Sequence, residues 1–157
     1  MLSARALAIA PSATLEITNK VLQLRRSGLD IISMNAGEPD FGTPENICRA
    51  AVEAISLQRT KYTPVAGIPE LREAICDKLA ADGHTFYTPE EISVGTGAKQ
   101  PLCNAVLALC GEGDEVLLPT PCWVSYIEMV KLAGATPVLV PSREEEGFSL
   151  NVDAIIF

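Results

Sequence analysis

Positive charge is scarce in this chain. Lysine and arginine number 12 against 20 aspartates and glutamates, leaving a formal net charge of -8 over 157 residues. A nucleic-acid footprint needs a basic stripe, so that class is excluded, whereas a small anion held by a few local groups is not. Histidine is scarcer still: His84, in the polar stretch DGHTF, stands alone. A catalytic thiol wants a histidine partner, so none of the cysteines is expected to be a nucleophile. Cys48, Cys76, Cys103, Cys110 and Cys122 are odd in number and never spaced C-x-x-C, and most of them lie in apolar runs. Buried free thiols in a reducing compartment are the expectation, with no metal site. A membrane span is missing at the start: MLSARALAIAPSATLEI carries a short apolar piece that stops at Pro11. That is too short to cross a bilayer and poorly shaped for a secretion signal, so a mature, cytoplasmic N-terminus is expected. No internal repeat or low-complexity segment stands out.

What is present is globular composition, 48% apolar and 20% charged, in a chain long enough for one ordinary domain with a core. Helix and strand patterns alternate. Thr14–Arg26 reads as an amphipathic helix stopped by Gly28, and Asp30–Met34 (DIISM) as a short strand. Thr43-Pro44-Glu45 is a helix start, with a hydroxyl cap and proline at the first helical position; the apolar positions through Ile55 follow at helical spacing. Pro69 opens a helix that ends at Asp82-Gly83. Ile92–Val94 reads as a strand, Ala98–Cys110 as a helix apolar almost all round and therefore buried, and Gly111–Asp114 as a turn. Glu115–Leu118, Val124–Ala133 closed by Gly134, and Thr136–Val140 read as strand, helix and strand. Ser142–Gly147 is a charged loop. Strand–helix–strand with short links implies parallel crossovers in an α/β sheet.

The turn Gly95-Thr96-Gly97-Ala98-Lys99 follows a strand and opens a helix. Such a turn aims backbone N–H groups at one point where the helix dipole favours negative charge. A phosphate is the natural guest, and a purely structural tight turn is the alternative. The dinucleotide fingerprint G-x-G-x-x-G is not met, because the third position is Gln100, and a P-loop is absent. A nucleotide-binding Rossmann module also lacks a suitable acid after Leu117-Leu118-Pro119. Trp123, the sole tryptophan, follows the next strand and its Pro119-Thr120-Pro121 exit. Ligands of open α/β sheets gather at the carboxyl ends of strands. A phosphate grip and a flat ring together suit a phosphorylated aromatic cofactor; a core tryptophan is the alternative.

Four stretches, MNAGEPDFGTPE (Met34–Glu45), KYTPVAGIPELREAI (Lys61–Ile75), GTGAKQPLCN (Gly95–Asn104) and GDEVLLPTPCWVSYIEM (Gly113–Met129), resemble the class I aminotransferases. These are pyridoxal-phosphate enzymes of fold type I. The likeness is to the aspartate/prephenate branch, whose N-terminal segment PSATLEI (Pro11–Ile17) also resembles. It runs in order from about Leu2 to Asp153.

The resemblance implies an N-terminal arm and small-domain segment over 1–40 and a truncated N-terminal part of the pyridoxal-phosphate-binding large domain over 41–157, with a mostly parallel sheet and flanking helices. It implies that Gly97, Ala98 and Lys99 grip the cofactor phosphate and that Trp123 stacks on the pyridine ring, beside bound substrate. It implies that Gly37 meets the substrate carboxylate through its backbone. Tyr62 would reach across a homodimer interface to the partner's cofactor phosphate. Read from the residues alone, Gly37 is equally a turn glycine, Tyr62 a packed aromatic and Lys99 a solvent-exposed lysine. Lys99 does not match the serine-rich setting of the lysine that bonds the cofactor in this family.

An amino acid and a 2-oxo acid are the implied partners, with aspartate and 2-oxoglutarate the pair of the closest branch. Cys122, where tyrosine is common in that branch, weakens the assignment, and relatives acting on aromatic or kynurenine-type substrates share the framework. The cofactor-bonding lysine, the acid at the ring nitrogen and the substrate-clamping arginine have no counterpart here. No catalytic residue is therefore assigned, and no transamination by this chain alone is expected. A non-catalytic subunit that binds a full-length partner is the alternative reading. In the family the strand before the glycine turn does not lie beside the two later strands, so unpaired edges and an open apolar face are expected.

Overall fold

The computed structural model describes residues 2–35, 37–83, 85–150 and 152. They fall into two units, Met1–Ala36 with Leu102–Phe157, and Gly37–Pro101.

In the first unit a strand, a helix and a second strand form one crossover. The lead-in turn is closed by Asp114, whose Oδ2 accepts the Gly111 N–H at 2.8 Å. Strand β1 then runs Glu115–Thr120, with Val116, Leu118 and Thr120 less exposed than their neighbours, the alternation of a pleated ribbon with one covered face. Helix α6, Ser125–Ala133, ends where Gly134 adopts φ 87°, a left-handed value that costs glycine nothing. Its N–H turns back to the carbonyls of Val130 and Lys131. Strand β2, Thr136–Pro141, lies parallel to β1, in register from Glu115 with Thr136 to Thr120 with Pro141. Beyond its end, Ser142 donates to the Thr120 carbonyl through its N–H at 2.8 Å and its hydroxyl at 2.6 Å. Prolines 119, 137 and 141 are tolerated because each of the two strands of this sheet has an open edge.

The core is small: Leu118, Val130, Ala135 and Val140 are the buried apolar residues among those described, and Val130 is the most enclosed, 1% exposed. Val106 and Cys110 of helix α5 (Lys99–Leu109) with its cap, and Val116, Tyr126 and Ile127, pack around it. The sheet is open on one flank, where Leu102, Val106, Val116, Leu118, Pro119, Tyr126, Met129 and Val130 line an apolar cleft of about 360 Å³. Earlier in this unit come helix α1 (Ala4–Leu7), capped by Ser3, and helix α2 (Ala13–Arg26), capped by Ser12.

The second unit is built from local bonds. Helix α3 spans Glu45–Ser56 and helix α4 Pro69–Ala81, with Pro69 at its first position. A 3₁₀ turn, Pro89–Glu91, carries a capping box in which the Thr88 N–H donates to Glu91 Oε2 at 2.8 Å. The Arg72 guanidinium ties α4 to this turn by donating to the Pro89 carbonyl.

Several expectations change. Asp30–Met34 and Ile92–Val94 are not strands, because neither finds a ladder partner among the described residues. The latter is held instead by bonds from the Ile92 N–H to the Pro89 carbonyl at 3.3 Å and from the Val94 N–H to the Ala66 carbonyl at 3.0 Å. Helix α3 starts one residue later than read: Pro44 is the cap and makes no side-chain bond. Proline at the cap leaves no side-chain acceptor for the first turn, so the Thr43 hydroxyl is not used. Helix α5 is not buried, with Leu107 43% and Leu109 81% exposed. One of its faces packs on the core, through Val106, and among the described residues little covers the rest. The cysteines are free, as read, but Cys48 is exposed and the other four are half-buried, again for want of covering surface. The expected open apolar face is present. His84 and most of the terminal NVDAIIF stretch lie outside the described residues.

Candidate cofactor site

The glycine turn belongs to the second unit, and two of its features depend on glycine. At Gly95 a Cβ would lie 2.7 Å from Pro101 Cδ and 2.8 Å from Cγ, so the proline ring occupies the space that a side chain would need. At Gly97 the backbone has φ 67° and a Cβ would meet nothing within 4 Å. The requirement there is conformational, and the space beside the backbone is open. The Thr96 N–H is held by Gln100 Oε1 at 2.6 Å, a side chain reaching back from the first turn of α5 in the manner of a capping box. Lys99 is the first residue of α5, and Gly95 through Gln100 are all exposed. The first N–H groups of a helix have no acceptor within it, and Pro101, in the same turn, has no N–H to satisfy. The turn therefore presents exposed amide dipoles at the positive end of an 11-residue helix, beside open space. Those features fit a phosphate group.

Gly37 and Tyr62 lie in the same unit. Gly37 is exposed, and a Cβ there would have no neighbour within 4 Å. Tyr62 is fully exposed, so it is not a packed aromatic in this chain.

Trp123 belongs to the first unit. The chain leaves β1 through a cis peptide between Thr120 and Pro121 and reaches Trp123 two residues before α6. The indole is 42% exposed, so it is not a core tryptophan. Its Nε1–H donates to Ser125 Oγ at 2.9 Å, and its carbonyl accepts the Tyr126 N–H at 3.0 Å. That bond fixes the indole against its own turn, two residues from its hydroxyl partner.

Residue reading alone misses Gln100, Ser125 and Glu128. Glu128 Oε2 accepts the Ala10 N–H at 3.0 Å, and Oε1 accepts from Lys131 Nζ at 2.9 Å. The Lys131 hydrogen bond, and after it the Ala10 N–H, holds the Glu128 carboxyl below its usual range. The stretch Ser125-Tyr-Ile-Glu128 has the spacing of a capping box. That was a legible signal, yet it would have misled, because α6 is capped at Val124 with no side-chain bond and both side chains turn elsewhere. Among the described residues no group of three or more His, Cys, Asp or Glu could hold a metal ion, and no helix is long and apolar enough to cross a membrane.

A family model described as "Aminotransferase class I and II" matches residues 29–156. The chain is 51% identical over 147 residues to the aspartate/prephenate aminotransferase of Cereibacter sphaeroides, covering 94% of this chain and 37% of that protein. It is 48% identical over 151 residues to the aspartate aminotransferase of Pinus pinaster, covering 96% of this chain and 31% of that one. Among solved structures it is similar to the aspartate aminotransferase from Thermus thermophilus with maleate, at a TM-score of 0.94 and 46% identity, covering 99% of this chain and 41% of the other. The chain thus spans between 31% and 41% of the length of these relatives.

Proposed function

Because the chain belongs to the class I and II aminotransferase family, with an α/β fold that is part of the fold type I large domain, we propose that it works as the N-terminal portion of a pyridoxal-phosphate-dependent aminotransferase. The amino donor is of the aspartate type and the acceptor is 2-oxoglutarate. The observation that carries this reading is the exposed turn at the head of α5, with left-handed Gly97 and open space beside it, within a chain matched by the family model over most of its length.

The residues divide the work. The amides of Gly97, Ala98 and Lys99 bind the phosphate, and the Lys99 ammonium adds positive charge on that side. The Trp123 indole packs flat on the pyridine ring, limiting its tilt and excluding water from that face. The Gly37 backbone orients the substrate through its carboxylate. Tyr62, fully exposed here, donates its hydroxyl to the phosphate held by the other copy of a homodimer. The cofactor, when bound, supplies the electron sink that stabilises negative charge at the substrate's α-carbon. Moving the α-proton needs a base that this chain does not supply, so by itself it binds and orients but does not transfer an amino group.

The test is a titration of the chain with pyridoxal phosphate, read by Trp123 fluorescence and by absorbance. Quenching is expected, with no band of a covalently bound cofactor. Gly97→Val should weaken binding about tenfold, the equivalent of roughly 1.4 kcal/mol in lost phosphate contacts. Amino-group transfer from aspartate by this chain alone, or binding indifferent to Gly97→Val and Trp123→Leu alike, would overturn the reading.

A further inference from the structure

The N-terminal segment before α2 is fastened at a point that the cofactor chemistry does not explain. Ala10 lies 118 positions from Glu128, yet its N–H donates to Glu128 Oε2 at 3.0 Å. The carboxylate's other oxygen holds Lys131 Nζ at 2.9 Å, which leaves Oε2 aimed at the segment. Ile9 through Ala13 and the start of α6, at its cap Val124 and at Ser125 and Ile127, face each other across a cleft of about 400 Å³, and α1 also packs on α6. Ser125 is shared: it lines this cleft and its hydroxyl accepts the Trp123 indole N–H at 2.9 Å.

From this geometry we infer that Glu128 is a positioning residue, strapping the N-terminal segment over the first turn of α6 and thereby fixing the indole of Trp123. The importance of this for cofactor binding rests on the role given to Trp123 above; the strap itself does not. A hydrogen bond to a carboxylate is among the stronger ones available to a backbone amide. The remaining polar demand of the segment is small, because Ser12 turns away to cap α2, accepting the Leu15 N–H at 3.4 Å. With Glu128 removed, no side chain replaces its hold on Ala10. The Val124–Ile127 side of the cleft then opens to water, and the hydroxyl that orients the indole loses the neighbour that confines it.

Trp123 is the sole tryptophan, so its fluorescence reports on this place without cofactor. The experiment compares the full chain with Glu128→Ala, Glu128→Gln and Lys131→Met, by amide hydrogen exchange at Ala10 and acrylamide quenching of Trp123. Glu128→Ala should speed Ala10 exchange about tenfold, the loss of a charge-assisted bond. Its quenching slope should rise roughly twofold as an indole 42% exposed is freed. Glu128→Gln keeps an oxygen acceptor for Ala10 and should stay near the wild type on both readouts. Lys131→Met breaks the ion pair alone and should leave Ala10 protected. Unchanged readouts in Glu128→Ala, or equal loosening in Lys131→Met, would overturn the inference. If Glu128→Ala also loses protection along β1 and β2, it has unfolded and the other two variants decide: loosening in either refutes the strap, and protection in both supports it. Loss of cofactor quenching in a chain whose strap readouts behave as stated would sink the cofactor role of Trp123 and leave the strap standing.

Discussion

The crossover β1–α6–β2 and the stretch Gly37–Pro101 are of similar local regularity but differ in what holds them. All four buried apolar residues of the described chain, Leu118, Val130, Ala135 and Val140, belong to the crossover and its immediate turn. The Gly37–Pro101 stretch has none. Its helices are kept by proline at the first position of α4, the Thr88–Glu91 box and the Arg72 tie to Pro89. The apolar side chains of α3 in particular stay outward, with Val52 64% and Ile55 66% exposed, and those of α4 reach only half-burial at Ile75 and Leu79. Caps and turn residues are enough to set helix boundaries, but only a second covered surface makes a core. Apolar residues at helical spacing on α3 announce a face that must be covered, not the thing that covers it.

The sharpest way to break this contrast is to place a charge on each side of it. Val130→Asp should unfold the crossover in a thermal melt or by hydrogen exchange, since an unpaired carboxylate in that 1% exposed position costs several kcal/mol. Ile55→Asp should change stability by less than about 0.5 kcal/mol in this chain, as exposed positions do. Equal losses would mean that α3 has a covered face.

A smaller effect is expected at the glycine turn. Gly95→Ala forces a Cβ against the Pro101 ring at 2.7 Å, an overpacking cost of about 1–3 kcal/mol. Its signature should be faster amide exchange at the start of α5, with the β1–β2 ladder unchanged. Loss of ladder protection would show that the two regions are not separately held.

The smallest effect is in acid. The Glu128 carboxyl is held below its usual range, first by Lys131 and then by the Ala10 N–H. A group with a lowered folded-state pKa contributes stability that is fully present above its ordinary, unfolded pKa and is lost as pH falls through the folded value. Melting temperatures of the wild type and Glu128→Gln should therefore differ most near neutrality and converge in acid below the ordinary glutamate range. A difference that grows on acidification would have the wrong sign.

How much of this was legible in advance follows the same division. The helix over Pro69–Ala81 and the stop at Gly134 could be read from residues, because each rests on a neighbour within a few positions. The parallel pair, whose partners lie a whole helix apart, could be read from the strand–helix–strand alternation with short links. Asp30–Met34 and Ile92–Val94 have strand composition but no ladder partner among the described residues, and a strand exists only as half of a pair. Buried helix α5 was over-read from apolar content. The glycine turn was legible as a turn through its two glycines, whereas the need for Gly95 came from Pro101, six residues on, whose ring had to be seen in place.

The order of residues along the chain determined the caps, the turns, the alternation of helix and strand and the family to which the chain belongs, since these are properties of short stretches. Tertiary structure alone decided which apolar faces are covered, that the Trp123 N–H is spent on Ser125, and that Glu128, besides holding Lys131 of its own helix, takes the N–H of Ala10, 118 positions away. Bonds of that reach depend on where folding brings distant segments, and no spacing in the sequence encodes it.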